Sequence, residues 1–520
     1  MDNRTMLVEL PTPTDSRADL GGAAPLLALR QDFARLGAEF HSATPPEGLP
    51  RPRLRLFSAD AAQLLGLAPP ADDAARERWA QAFSGNVAAA DGSAICTVYA
   101  GHQFGNWAGQ LGDGRAHLLG EAAARDPRQA LGHAWWEVQL KGAGATPYSR
   151  HADGRAVLRS SIREFLASEA MWHLGVPTTR ALCLVDSDLP VRRERLETAA
   201  VVTRLSPSFL RFGHFEHFSH SGRHDALRRL VDYAVQRLYP ACADAANPAL
   251  ALLREVVART AALIAGWQAL GFVHGVMNTD NMSIVGWTVD YGPFGFVDAF
   301  DPAYTPNTSD TWQRYAWARQ PAVARWNLLA LASALVPLVD DRQALADSVE
   351  DFGEAFGAQM RRRMHDKLGL GPEQPGDAEL VQDWLDLLRA CGADWTLAHR
   401  LLAQVVAHPE LAPPADFAGQ FRRWPQRLED WLARLRQRLQ PSTAQQREQR
   451  LRDMLRSNPC YVPRHHLLQQ AIEHAQQGDF APAQRLHSVW CRPYDEQADA
   501  ADLAAPPPPD AAAAVLSCSS

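Results

Sequence analysis

The chain has 520 residues, 46% of them hydrophobic and 21% charged, and 52 basic against 59 acidic side chains leave a formal net charge of −7. These proportions exclude wholesale disorder and a fibrous repeat, while the length, measured against ~150 residues per domain, allows two or three cores. An acidic balance without a long basic run disfavours nucleic acid or a membrane as partner, and the start MDNRTMLVELPTPTDS together with the lack of ~18 uninterrupted apolar residues predicts a soluble, cytoplasmic protein.

Residues 1–90 form an N-terminal extension in which a loose start gives way to short helical patterns such as LLALRQDFARLGAEF. From 91 the texture changes to Gly-punctuated apolar runs, ICTVYAGHQFGNWAGQLGDGRAHLLGE and WWEVQLKG, which read as strands joined by turns. AVLRSSIREFLASEAMWHL has Leu158, Ile162, Phe165, Leu166 and Leu174 at helical spacing, and Gly175 and Pro177 stop it. Two more strand-like runs, ALCLVDS and TAAVVTRL, complete a strand-rich region over 91–205. A helical region follows over 206–440, then a helical extension over 441–500 and a Pro/Ala-rich tail over 501–520 that ends in CSS and reads as a mobile tether. Strands first and helices after is an α+β order. Seven scattered cysteines with no C-x-x-C pair indicate neither a zinc site nor a disulfide framework.

Four features carry chemistry. Gly112-Asp113-Gly114-Arg115 is either a plain hairpin turn or a glycine loop that brings backbone N–H groups and a guanidinium to phosphates. Lys141 ends an apolar strand, where its ammonium could reach a phosphate and pair with a carboxylate of the next helix. Glu164 and Glu169 are the candidates: Ser161-x-x-Glu164 also fits a capping box, and a helical wheel slightly favours Glu169. Arg204 and Arg211 suit phosphate oxygens, against the plainer reading of surface salt bridges.

The fourth feature is FVHGVMNTDNMSIVGWTVDYGPFGF, residues 272–296. It opens like the catalytic loop of a protein kinase and closes with D-Y-G, near the kinase D-F-G, yet Val276 stands where the catalytic aspartate is expected. Asn281 matches the asparagine of that loop and Asp290 the aspartate of D-F-G, the two protein metal ligands of such a site, since hard cations take oxygen donors, and the strand-like MSIVGWTV between them reads as a loop–hairpin. Asp280, the only acid in the loop, becomes the candidate proton acceptor, and His274 reads as a structural hydrogen-bonding residue.

Together YAGHQFGNWAGQLGDGR, LKGAGATPYSRHADGRAVLRSSIREFLASEAM, GVPTTRAL, HGVMNTDNMSI and DYGPFGF closely resemble the selenoprotein O family, and the match continues through QPAVARWNL, NPCYVPR and RPYDEQ to the terminal CSS. The resemblance implies a protein-kinase-like, two-lobed fold that binds ATP in a flipped orientation and transfers AMP to Ser, Thr or Tyr hydroxyls of proteins, itself included, with release of pyrophosphate. It makes Gly112, Gly114, Arg115, Lys141, Asp153, Gly154, Arg204, Arg211 and Asp290 nucleotide-binding residues. Asp280 becomes the proton acceptor, Asn281 and Asp290 the ligands of Mg²⁺ or Mn²⁺, and Glu164 the partner of Lys141. In relatives the terminal cysteine can pair with a cysteine of the activation segment. Here DPAYTPNTSD has Pro306 at that place, so Cys518 is expected to be a free, redox-active thiol without that partner. The competing functions are γ-phosphoryl transfer and a non-catalytic nucleotide-binding scaffold.

Overall fold

The computed structural model describes residues 26–87, 94–126, 132–439, 442–508, 511 and 516. One antiparallel sheet takes its β1 (His41–Ala43) and β2 (Arg53–Phe57) from the N-terminal stretch read as loose and helical, and β7 (Ala156–Val157) from the start of the run read as a helix; the strand-like runs supply β3 (Ile95–Gln103), β4 (Asn106–Gly112), β5 (Ala116–Ala123), β6 (Trp135–Lys141), β8 (Arg180–Arg192) and β9 (Leu196–Ser206). Its order is β1-β3-β5-β6-β9-β8-β2, with β4 on β3 and β7 on β9. β6 lies at its centre, and the register Lys141↔Val202 and Gln139↔Arg204 sets the last residue of β6 beside β9. Most of β3, β5, β6 and β9 is buried, so the sheet is covered on both faces.

Helix α1 (Leu158–His173) covers one face. Ser161 lies inside it and caps nothing, so the Ser161–Glu164 capping box does not form: Val157 precedes the helix with no side-chain cap. The helix has no solvent face from Ser161 to Met171, because the C-terminal helices His465–Gln476 and Ala481–Trp490 close over it. Glu169, which the wheel favoured for Lys141, meets Arg180 instead. Its Oε1 accepts from Arg180 Nε at 2.9 Å and its Oε2 from Nη2 at 2.7 Å, while Ala181 N and Ser58 Oγ complete the shell.

Beyond β9 come α2 (Phe212–His220), α3 (Pro248–Leu270) and α4 (Gln320–Leu335). Asn247 caps α3 through Leu250 N at 3.0 Å, and Gly271, at φ +73°, ends it in the left-handed conformation that glycine adopts freely. The chain then enters β10 (Phe272–Val273), which pairs with β11 (Gly295–Phe296) and closes residues 274–294 into a loop. α4 belongs to a helical run, Trp317–Leu338, long and apolar enough to cross a bilayer by length and composition. Its inward side chains anchor that loop, with Gln320 Nε2 donating to Phe272 O and Asn327 Nδ2 to Met277 O. A second core lies among the helices Asp377–Cys391, Trp395–Ala407 and Pro425–Leu439, centred on Trp384 and Trp431, whose rings stack at 4.4 Å.

Three local expectations differ. LLALRQDFARLGAEF keeps only a short 3-10 turn, Phe33–Leu36, because Glu121 accepts from Asp32 N and Phe33 N and Arg30 pairs with β5. MSIVGWTV makes isolated bridges instead of a hairpin: Met282 and Thr178 both pair with Thr288, and Ser283 pairs with Arg211. In the tail, Leu516 is buried and its carbonyl accepts from Thr308 N at 2.8 Å and Thr308 Oγ1 at 2.7 Å, next to Pro306. Cys518 lies outside the described residues.

The Glu169–Arg180 pair makes a stability prediction. Burial pushes the Glu169 carboxyl up, but Arg180 outweighs it and holds the group down at about 2. The folded value lies below the unfolded one, so the stabilisation is present above about pH 4.3 and is lost as pH falls through 2. Glu169→Ala, which strands a buried guanidinium, should cost about 3–5 kcal/mol in denaturant unfolding at pH 7, a penalty that shrinks toward pH 2. A change under 1 kcal/mol would contradict this.

Candidate active site

Seven of the residues singled out from sequence meet where the end of β6, α1, β9 and the 274–294 loop converge. Lys141 Nζ lies 2.6 Å from Glu164 Oε2 and 2.5 Å from Asp290 Oδ1. Arg204 Nη1 donates to Glu164 Oε1 at 3.1 Å and to Asp290 Oδ1 at 2.6 Å, and its Nη2 to Gln139 Oε1. Arg211 Nη1 reaches Asp290 Oδ2 at 2.9 Å, the Asp280 carbonyl at 2.7 Å and Asn281 Oδ1 at 3.4 Å. Lys141 thus pairs with Glu164, not Glu169, and neither arginine is a surface residue: Arg204 and Arg211 are 2% and 3% exposed.

The bonded cluster sets three cations against two carboxylates. Burial pushes the Asp290 carboxyl up, but Lys141, Arg211 and Arg204 overcome it and hold the group well below the usual range. Burial lowers the Lys141 ammonium, with Asp290 and Glu164 opposing. Arg204 Nε and Arg211 Nε are buried with no hydrogen-bond partner. Desolvated donors of this kind are costly unless an anion meets them, and a guanidinium matches phosphate oxygens in geometry.

Asp280 sits in the 3-10 turn Thr279–Asn281 and is buried. Burial raises its carboxyl to about 6, with Arg211 and a hydrogen bond from Gln103 pulling the other way. Gln103 Nε2 donates to Oδ2 at 3.2 Å, while Oδ1 is buried without a partner. Asn281 Nδ2 donates to Val276 O at 3.0 Å, which turns its Oδ1 toward Arg211. His274 is fully enclosed: Nε2 meets Val289 O at 3.0 Å, Val276 N donates to Nδ1 at 3.3 Å, and the ring stacks on Trp267.

The glycine loop joins β4 to β5. A Cβ on Gly112 would fall 2.4 Å from the Tyr148 ring and one on Gly154, at φ +65°, 2.0 Å from Gly144 O, so both are required by close approach. Gly114 O accepts from Ser149 Oγ, and Arg115 is exposed beside the loop. Asp113, between the glycines, is buried; its Oδ2 accepts from Thr97 N at 2.9 Å and Thr97 Oγ1 at 2.6 Å, which ties the loop to β3. Asp153 lies apart from the ion cluster's bonds: it accepts from Arg193 Nη1 at 2.8 Å and Nη2 at 2.9 Å. Sequence reasoning passed over Gln139, Asp113 and Gln103. For Gln103 a signal existed in YAGHQFGNW, whose polar residues interrupt an otherwise buried strand.

The donor set suits a hard divalent cation. Asn281 Oδ1 and Asp290 Oδ2 are oxygen donors of the kind Mg²⁺ takes when phosphates and water complete its shell, but both accept from Arg211 Nη1 here, so a cation could bind them only with that guanidinium drawn aside. Among the described residues no cluster of three His, Cys, Asp or Glu side chains could hold a metal without such help.

The sequence profile of the family described as protein adenylyltransferase SelO matches residues 26–490. The protein nucleotidyltransferase YdiU of Burkholderia multivorans is 49% identical over 529 aligned positions, covering 98% of this chain and 98% of that protein. Its namesakes are 48% identical in Burkholderia vietnamiensis, at the same coverage, and 50% identical in Burkholderia mallei, over 96% of this chain and 97% of that one. A profile match over nearly the whole described chain, with relatives that keep about half of its residues end to end, shows that the chain belongs to the SelO family of protein adenylyltransferases.

Proposed function

We propose that the protein transfers AMP from ATP to Ser, Thr or Tyr hydroxyls of proteins, releasing pyrophosphate, on a fold of the two-lobed protein-kinase kind. The observation that carries this reading is the convergence of Lys141, Arg204 and Arg211 on one carboxylate, next to an aspartate with a free buried oxygen. A γ-phosphoryl transferase needs one such lysine on its strand edge, whereas attack at the α-phosphorus expels pyrophosphate, a larger charge to neutralise. The two buried arginines with unsatisfied Nε donors meet that need.

In this reading the acceptor hydroxyl gives its proton to Asp280 Oδ1 while its oxygen bonds to the α-phosphorus. The bond from that phosphorus to the α–β bridging oxygen breaks, and pyrophosphate departs with the electron pair. Lys141, steadied by Glu164, and the two arginines neutralise the departing phosphates, while the Gly112–Gly114 backbone and Arg115 line their approach. Asp153 and Gly154 border the nucleotide from the loop before α1. A divalent ion held by Asn281 and Asp290 would supply further neutralisation of phosphate charge when bound.

Three predictions test this. Incubated in lysate with ATP labelled at the α- or the γ-phosphate, the protein should label acceptor proteins from the α position only; γ label alone would replace this reading with kinase chemistry, and no label from either position would favour the scaffold. Asp280 must be ionised to accept a proton, and its carboxyl lies at about 6, so kcat/KM should rise about tenfold per pH unit below 6 and level above it. Asp280→Asn should lower kcat by about 10²–10⁴ and erase that limb, and near-normal turnover would remove Asp280 from the proton step.

The third concerns the metal. Asp290 is already neutralised by three cations, and phosphates would draw those cations toward themselves. Mn²⁺, followed by electron paramagnetic resonance, should therefore bind at least about fivefold tighter in the presence of a non-transferable ATP analogue, and the analogue should gain the same factor from Mn²⁺. Equal Mn²⁺ affinity with and without the analogue would argue against Asp290 as a ligand.

A further inference from the structure

The tip of the β3–β4 hairpin closes over the turn that carries Asp280. His102 pairs with Trp107 and Gln103 with Asn106, so Phe104 and Gly105 alone make the connection, at φ +52° and +84°. Positive φ at both central residues is the type I′ pattern, and it is strained for phenylalanine. The strain is held by hydrogen bonds across the site: Phe104 N donates to Asn278 Oδ1 at 3.1 Å and to Tyr315 OH at 3.0 Å, and His102 N to Thr279 Oγ1 at 2.7 Å. Behind the tip, His102 Nδ1 lies 2.5 Å from Oε1 of the buried Glu216. Every residue from Asn278 to Asp280 is therefore gripped from the hairpin.

The grip on Asp280 itself is made by Gln103, whose Nε2 donates to Oδ2 at 3.2 Å. Oδ1 is buried and has no partner. Gly101 leaves that oxygen its space, because a Cβ there would stand 3.1 Å from it. An ionised carboxylate offers about four acceptor sites, so a buried oxygen left bare beside a bonded one marks where a donor is to arrive.

We propose that Gln103 is a positioning residue for the transfer reaction: it holds Oδ2 of Asp280 so that Oδ1 is presented to the acceptor hydroxyl. The inference rests on the reading of Asp280 as proton acceptor. It assigns Gln103 no contact with ATP, so its loss should act on the chemical step and leave nucleotide binding alone.

The test uses the full chain, ATP labelled at the α-phosphate and dephosphorylated casein as acceptor, in single-turnover and steady-state assays. Gln103→Met keeps the side chain's length and removes the donor. It should lower kcat about 10- to 100-fold with KM for ATP changed less than twofold, and in an Asp280→Ala background it should cause no further loss in the single-turnover rate. Gln103→Asn, which keeps the amide but falls short of Oδ2, should show the same kcat loss and supplies the result if the methionine variant does not fold. Unchanged kcat in the folded variants, a loss confined to KM for ATP, or an equal loss in the Asp280→Ala background would each overturn the proposal. Full activity of Asp280→Ala alone, or no transfer by the parent protein, would instead bring down the reading beneath it and Gln103 with it.

Discussion

The site depends on the sharing of one carboxylate among three cations. Asp290 adopts φ +63°, a left-handed conformation that costs a non-glycine residue of order 1 kcal/mol or more, and it stays there because Lys141, Arg204 and Arg211 bind it from three directions. Each cation comes from a different piece of chain: the end of β6, the body of β9 and the residue that precedes α2. The ion cluster therefore joins the sheet to the 274–294 loop. It also carries its own demand, because Arg204 Nε and Arg211 Nε are buried donors with no hydrogen-bond partner, and an anion meets them better than water can at a buried site.

Helix α1 shows how burial on all sides alters what a residue pattern means. A helical wheel assumes one apolar face and one wet face, and by that assumption Glu169 was the better partner for Lys141. The C-terminal helices remove the wet face, so Glu164 and Glu169 are both enclosed and each answers a different cation. Arg163, one residue before Glu164, reaches the other way, to Phe294 O and His465. Arg464, the residue before His465, binds Asp298 and Asp394. The extension is thus fastened both to the helix that steadies Lys141 and to the chain that follows β11.

What was legible in the sequence follows a physical division. Strand runs, the α1 span and the later helices could be read because local pattern and burial agree there. Lys141, Arg204, Arg211, Asn281, Asp280 and Asp290 stood out by residue type at telling places, a lysine at a strand end or an acid in a polar turn. The rest depends on partners far along the chain. Residues 26–40 fail to make their helix because Glu121 takes their N–H groups, and MSIVGWTV fails to make its hairpin because Thr178 and Arg211 compete for its backbone. Gln103 and Asp280 are 177 positions apart, and no periodicity reports a contact of that kind.

The valine at 276 then has an electrostatic reading. An aspartate there would add a second carboxylate four residues before Asp280, in a segment where the Val276 carbonyl orients Asn281, and like charges brought together oppose each other's ionisation. The acid at 280 avoids that conflict. Its main chain is bound by Arg211, the same guanidinium that neutralises Asp290, so one cation serves both carboxylate-bearing residues. Val276 leaves the segment 274–281 with a single acid, placed where the hairpin from β3 can steady one oxygen and leave the other bare.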